Sequence, residues 1–225
     1  MSYHPEQHLL DAYAAGSIDA VHGLAVATHL ESCSRCRALV AVKERECAQA
    51  VMNGPETLVA NGSEEFAGMF EAIVALDPIQ PKAVQAPPAA VLEVNGKQFR
   101  LPGTLSKHVR QIGEWRSYGG KVYSAAMDLG EDNVRVNLMY IAEDVHIPQH
   151  THKGLESTLV LHGGFSDEDG HYEAGDFMTR DASVRHSPFT RTGEDCLCMT
   201  VLTEPMLFTQ GVARIFNLFG KGLYP

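Results

Sequence analysis

His29-Leu30-Glu31-Ser32-Cys33-Ser34-Arg35-Cys36 carries one imidazole and two thiols, spaced four and then three residues apart. On a helix, or at its end, that spacing puts all three on one face. Imidazole nitrogen and thiolate sulfur can fill three corners of a Zn2+ tetrahedron. A fourth protein ligand closes the shell and leaves no place for water, so such a site is structural and adds to the folding free energy. His4 is a candidate for the fourth corner. His8 and His22 compete with it, although both suit solvated helix faces. A single cysteine here would read as a small buried hydrophobe. The triplet reads as a metal site, because residue type and spacing agree.

Helices flank this stretch. Glu6 to Ala15, with Leu9, Leu10 and Tyr13, reads as a first helix that stops at Gly16. Ser17 is the expected cap of a second, which carries Ile18, Val21, Leu24 and Ala25 and delivers His29 near its end. Ser34 is the expected cap of a third, running to about Met52 and stopped by Asn53-Gly54-Pro55. Cys47 shares a face with Cys36, Val40 and Val51 and reads as a core residue. Asn61-Gly62 marks a turn and Ser63 the cap of a fourth helix, where Phe66, Met69, Phe70 and Ile73 form an amphipathic stripe. The stripe fits either the core or a partner-binding surface. Four short helices bury little apolar surface alone, so a metal clamp helps to hold them.

Between Asp77 and Ala90 the composition changes. Pro78, Pro81, Pro87 and Pro88 leave little room for helix or sheet and predict an extended linker. The expected organisation is a small four-helix zinc domain over 1–76, a linker over 77–90 and a β domain over 91–225. In the last part the apolar period shifts to two. Val134, Val136 and Leu138 alternate with polar neighbours, and Thr158 to Leu161 and Leu197 to Val201 read as further strands. Tyr118-Gly119-Gly120, Gly163-Gly164 and Asp169-Gly170 read as turns. Many short strands with regular turns predict a β-sandwich or jelly roll. The closing stretch, with Ile215, Phe216, Leu218 and Phe219, either packs on the barrel or makes a contact.

A second metal signature lies in that domain. His150-Thr151-His152 points two imidazoles to one side of a strand, and Glu156 follows a short turn. His186, in Val184-Arg185-His186-Ser187-Pro188, is the best candidate for a ligand from a neighbouring strand. Three nitrogens and a carboxylate suit Zn2+, Mn2+, Fe2+ or Ni2+. His146, His162 and His171 do not match ligand positions and read as surface or supporting groups. Cys196 and Cys198 face one way on a strand, about 6.5 Å apart. They are near the outer limit for a disulfide. They are either small core residues or thiols open to oxidation beside the metal.

Composition narrows the partners. A formal charge of −10 argues against a general nucleic-acid or anionic-membrane binder. No signal peptide and no bilayer-spanning apolar run is recognised, so a cytoplasmic location is expected. The odd count of 5 cysteines fits a reducing compartment, not a disulfide framework.

The pattern His4…His29-x3-Cys33-x2-Cys36, with Tyr13-Ala14-Ala15-Gly16 between, resembles the zinc anti-sigma domain, above all that of the bacterial ChrR-type anti-sigma factors. The resemblance implies Zn2+ on His4, His29, Cys33 and Cys36. It also implies a helical domain that sequesters an extracytoplasmic-function (ECF) sigma factor from RNA polymerase core. The second motif resembles that of the cupins, H-x-H-x3,4-E-x6-G, closed here by Gly163, with Gly175 and His186 framing a second cupin motif. Asp144 stands where that family usually has glycine, Asp181 and Ser183 replace a proline and a glycine, and Thr190 replaces an asparagine. ChrR-type proteins carry such a cupin-like domain after the zinc domain, and its site is similar to a zinc site. The implied function is that of a non-enzymatic anti-sigma factor that lets go of its sigma factor on signals such as singlet oxygen or organic peroxides. The rivals are a cupin metal oxygenase or isomerase acting on a small molecule, and a zinc-stabilised scaffold without sensory function.

Overall fold

A computed structural model describes residues 1–54, 64–77, 89–131, 133–211, 213, 214 and 217. Pro55, Asn61-Gly62, Ser63, the four linker prolines, and Ile215, Phe216, Leu218 and Phe219 lie outside the described residues. The chain forms two compact units, Met1–Glu44 with Ala89–Pro225, and Arg45–Pro88.

Helix α1 spans Gln7–Ala14 and ends at Gly16, whose φ of +67° favours glycine. Helix α2 spans Ala20–Ser32. Its cap is Asp19, not the expected Ser17: the carboxylate accepts from the amides of Val21 and His22 at 3.1 and 2.9 Å. A carboxylate satisfies the open amides of the first turn and carries the charge that the helix N-terminus favours. It also binds His22 Nδ1 at 2.8 Å, so His22 is buried and held, not solvated. Helix α3 spans Ser34–Met52. Ser34 is its first residue and not its cap. Cys33 takes the extended junction, and its Sγ accepts the Cys36 amide at 3.4 Å, as a capping hydroxyl would. The face expected to run through Cys47 to Val51 is not core at its end, since Val51 is 80% exposed. In the second unit, helix α4 spans Glu64–Val74.

Strands β1 (Val91–Val94) and β2 (Lys97–Arg100) form a hairpin turned by Asn95-Gly96, both at positive φ. After the short helix α5 (Gly103–Ser106) come β3 (Arg116–Tyr118), β4 (Val122–Met127), β5 (Arg135–Ile141), β6 (His150–His152) and β7 (Glu156–Ser166). Then follow β8 (His171–Glu173), β9 (Phe177–Arg180), β10 (Cys196–Leu202) and β11 (Met206–Phe208). The main antiparallel sheet runs β3-β4-β5-β10-β7-β8, with β9 also on β7, while β6 pairs with β11. Gly163-Gly164, expected as a turn, lies inside β7. Gly163 sits at φ +62°, beside a register shift against β10, and a Cβ there would collide with the Asp195 carbonyl.

All seven residues of β10 are buried, so the sheet is covered on both faces. Alternation sorts them. Leu197, Met199 and Val201 join Leu138 and Tyr140 of β5, the β1-β2 hairpin, and Val21, Leu24 and Ala25 of α2 in one core. Cys196 and Cys198 join Ile141, Val160 and Phe165 in another. Helix α2 thus belongs to the β core, which is why the first 44 residues group with the sandwich. Glu31 adds a polar tie: its carboxylate accepts from the Gly103 and Thr104 amides at the start of α5, at 2.8 and 2.5 Å. Glu31→Ala is expected to lower the unfolding free energy by about 1 kcal/mol, the usual worth of a helix cap, measured by urea denaturation.

Candidate metal centres

The first centre forms where α2 gives way to α3. His4 Nδ1 lies 3.4 Å from Cys33 Sγ and 3.5 Å from Cys36 Sγ. With His29 Nε2, the four donor atoms lie within 4.8 Å of one another. Zn–S bonds of about 2.3 Å and Zn–N bonds of about 2.0 Å, at a tetrahedral angle, separate sulfur from nitrogen by about 3.5 Å. The donors therefore fit Zn2+. His29 is fully buried, and its Nε2 has no hydrogen-bond partner. Its Nδ1 donates to the Gly175 carbonyl at 2.8 Å, which fixes the tautomer and leaves the Nε2 lone pair for a cation. Burial and the neighbouring Cys33 push the Cys36 thiol up to about 12. A bound cation reverses that preference, so binding releases protons. Neither His8 nor His22 is in this cluster.

The second centre lies between β6 and the main sheet. His150 and His152 point inward from β6, and His186 joins them through a two-way backbone bridge with His150 at 3.1 Å each way. Their donor atoms also lie within 4.8 Å of one another. Glu156 Oε2 lies 2.9 Å from His152 Nε2 and 3.8 Å from His186 Nε2. The His152 approach is close but not aligned as a hydrogen bond, and both Nε2 atoms lack partners. Lone pairs converging without donors between them fit a cation. His150 Nδ1 donates to the Pro148 carbonyl at 2.9 Å and His186 Nδ1 to Asp167 at 3.2 Å, so both Nε2 atoms are free to ligate. Burial, then His186, hold His150 down to about 4. Burial works to raise Glu156, but the three imidazoles prevail and hold it at about 2.

The departures from the cupin pattern have physical readings. Asp144 adopts φ +55°, a conformation glycine favours and aspartate tolerates. Thr190 Oγ1 donates to the Ala142 carbonyl and accepts the Val145 amide. Asp181 closes a local turn onto Ser183. Of the other candidates, His146 stacks on Phe189, His162 is exposed beside Asp195, and His171 binds Ser166 and Glu194. Cys196 and Cys198 are unbridged and buried, and only Cys198 reaches the cavity beside the second centre. Phe66, Met69, Phe70 and Ile73 on α4 are 58–68% exposed.

A zinc-finger family model matches residues 7–37, and the ChrR cupin-like domain model matches residues 112–205. The anti-sigma-E factor ChrR of Cereibacter sphaeroides is 30% identical over 220 residues, spanning 96% of this chain and 97% of that protein. The chain belongs to the ChrR family of anti-sigma factors. The crystal structure of Rhodobacter sphaeroides SigE in complex with the anti-sigma ChrR superposes with a TM-score of 0.67 at 29% identity, covering 89% of this chain and 98% of that one. Among the described residues of this ChrR-family chain, no helix is long and apolar enough to cross a membrane.

The two centres of this ChrR-family protein are joined by groups that sequence reasoning missed. Asp167 binds His186 and, through its other oxygen, the Tyr172 hydroxyl at 3.0 Å. Arg180 donates to both Asp167 and Tyr172 at 2.6 Å. The Tyr172 ring packs on Tyr3, with centroids 4.7 Å apart, next to the candidate ligand His4. Buried Asp176 accepts the Ser2 and Tyr3 amides, and its neighbour Gly175 holds His29. The acidic run Asp167-Glu168-Asp169 was the available signal for the supporting carboxylate.

Cys36→Ser is expected to cost one metal equivalent by elemental analysis and leave the other. Asp167→Asn should weaken the second centre about 10- to 100-fold, read by competition with a chromophoric chelator. The metal-free chain should lose stability as pH falls from the ordinary 6.5 of His150 to about 4. Over that window the unfolded chain takes up the proton and the folded chain does not, and denaturation midpoints at several pH values read the loss.

Proposed function

We propose that this protein is an anti-sigma factor that sequesters an ECF sigma factor in the cytoplasm and releases it on an oxidative signal. The observation that carries the reading is membership of the ChrR family along nearly the whole chain, supported by the clusters His4, His29, Cys33, Cys36 and His150, His152, His186. The family is one of regulators, and the oxygenase or isomerase alternative has no support in it.

The first centre holds His4, His29, Cys33 and Cys36 on Zn2+, which has no redox chemistry and serves here as a clamp. It fixes the α2-α3 junction, from which α3 leads into the second unit. There Phe66, Met69, Phe70 and Ile73 offer an apolar stripe of the kind a partner's groove takes up. The second centre, with His150, His152, Glu156 and His186, also suits Zn2+ and serves as the sensory end, beside a cavity lined by Cys198 and three methionines. A change there weakens the grip only if it favours a state with lower sigma affinity. The path for such a change runs through Asp167, Tyr172 and Tyr3 to His4, and through Gly175 to His29.

Co-expression of the full chain with the sigma factor encoded beside it should give a stable complex on purification. Failure to co-purify with both centres loaded overturns the reading. Phe66→Glu with Phe70→Glu should abolish the complex while leaving metal content and the unfolding midpoint unchanged, because both side chains are exposed in the free chain.

A further inference from the structure

The cavity beside His150, His152 and His186 has a volume of about 60 Å3. That is room for a few water-sized groups. Its remaining wall is rich in sulfur: Met139, Met178, Met206 and Cys198. Three of the chain's 8 methionines meet at this one place. An apolar pocket of about 300 Å3 adjoins it, lined among others by Val122, Val145 and Phe208. Met139, Ile147 and Met206 are walls of both spaces. Two thioethers therefore stand between an apolar pocket and a polar cluster of metal ligands. Met206 is the cross-strand partner of His152, and Met139 that of Cys198.

Resting on the reading that an oxidant releases the partner, we propose that Met139 and Met206 are the oxygen acceptors and that the outer pocket takes the apolar body of an organic hydroperoxide. The –OOH end of such a molecule is small enough for the inner space, whose wall is largely apolar and carries Arg180, Thr158 and Thr200 beside the imidazoles. A thioether reacts without losing a proton. The two thiols are worse placed: both are buried in β10, where the hydrogen bond with Cys198 and burial push the Cys196 thiol well up, and a thiol is a poor nucleophile until it ionises. The methionine sulfur attacks the terminal peroxide oxygen, the O–O bond breaks and an S–O bond forms. Sulfur gives up two electrons, the hydroperoxide is reduced to its alcohol, and the hydroperoxide proton ends on the alcohol oxygen. The product sulfoxide puts a strong hydrogen-bond acceptor into an apolar wall, so β11 must move, and His152 opposite Met206 moves with it.

Peptide mass mapping of the metal-loaded full chain tests this. Met52, 83% exposed, is the internal standard, and Met199, fully buried on the other face of the sheet, reports unfolding. On going from hydrogen peroxide to tert-butyl hydroperoxide, oxidation of Met139 and Met206 relative to Met52 should rise about tenfold, as burial of one or two methyl groups supplies. Met199 should stay unoxidised. An unchanged ratio, or oxidation confined to the exposed methionines, overturns the proposal. The volume-conserving double variant Met139→Leu, Met206→Leu should keep both metals and the sigma complex but no longer release it with hydroperoxide. If the double variant releases as readily as the native chain, the thioether proposal falls and the anti-sigma reading stands. If the native chain never forms the complex, the anti-sigma reading falls and the mapping alone decides the thioethers. If the double variant loses metal, the mapping on the native chain likewise decides.

Discussion

The hydrogen bond from His29 Nδ1 to the Gly175 carbonyl joins a candidate ligand of the helical segment to the β-sandwich. It selects the tautomer that leaves Nε2 for a cation, and it does so with an acceptor 146 residues away. Gly175 lies at φ +95°, a conformation that side-chain-bearing residues rarely adopt, so the carbonyl depends on a glycine to reach its donor. The first candidate centre is thus a shared device. Its four candidate ligands come from the N-terminal segment, and the orientation of His29 comes from the turn between β8 and β9.

The central strands give the rest of the molecule two sides. Alternate residues of β10 send Leu197, Met199 and Val201 towards α2, and Cys196 and Cys198 towards the second centre. One strand therefore meets the covering helix on one face and the sulfur-lined cavity on the other. A change of volume on the cavity side acts on a close-packed layer that already touches the helices, and such layers rearrange in discrete steps and not by smooth deformation. The polar route through Asp167, Arg180, Tyr172 and Tyr3 runs alongside it.

Much of this was legible in the sequence. Ligand chemistry imposes strict spacing, so His29-x3-Cys33-x2-Cys36 and His150-x-His152-x3-Glu156 stood out, while period-two alternation marked β5 and short apolar runs marked β7 and β10. What stayed hidden depends on distant partners. Asp19 displaced Ser17 because a carboxylate also secures His22, a side-chain contact that a scan for start signals overlooks. Gly163-Gly164 looked like a turn because its real requirement, clearance for the Asp195 carbonyl, comes from another strand. Asp176 carries no motif, and the acidic run around Asp167 does not say which carboxylate meets which partner. Their work lies in joining elements that sit far apart along the chain, and only the fold reveals it.

That long separation bears on how the protein is made. Tyr3 and His29 leave the ribosome well before Gly175, Asp176 and Phe177, to which they bond. Closing a loop of that length costs about 4 kcal/mol of chain entropy, so the helices cannot be locked until the sandwich exists to receive them. A nascent chain therefore passes through a stage in which all four candidate ligands of the first centre have emerged but His29 still lacks the carbonyl that orients it. A chain that lacked its metal would reach full length with the α2-α3 junction oriented by the sandwich but not clamped.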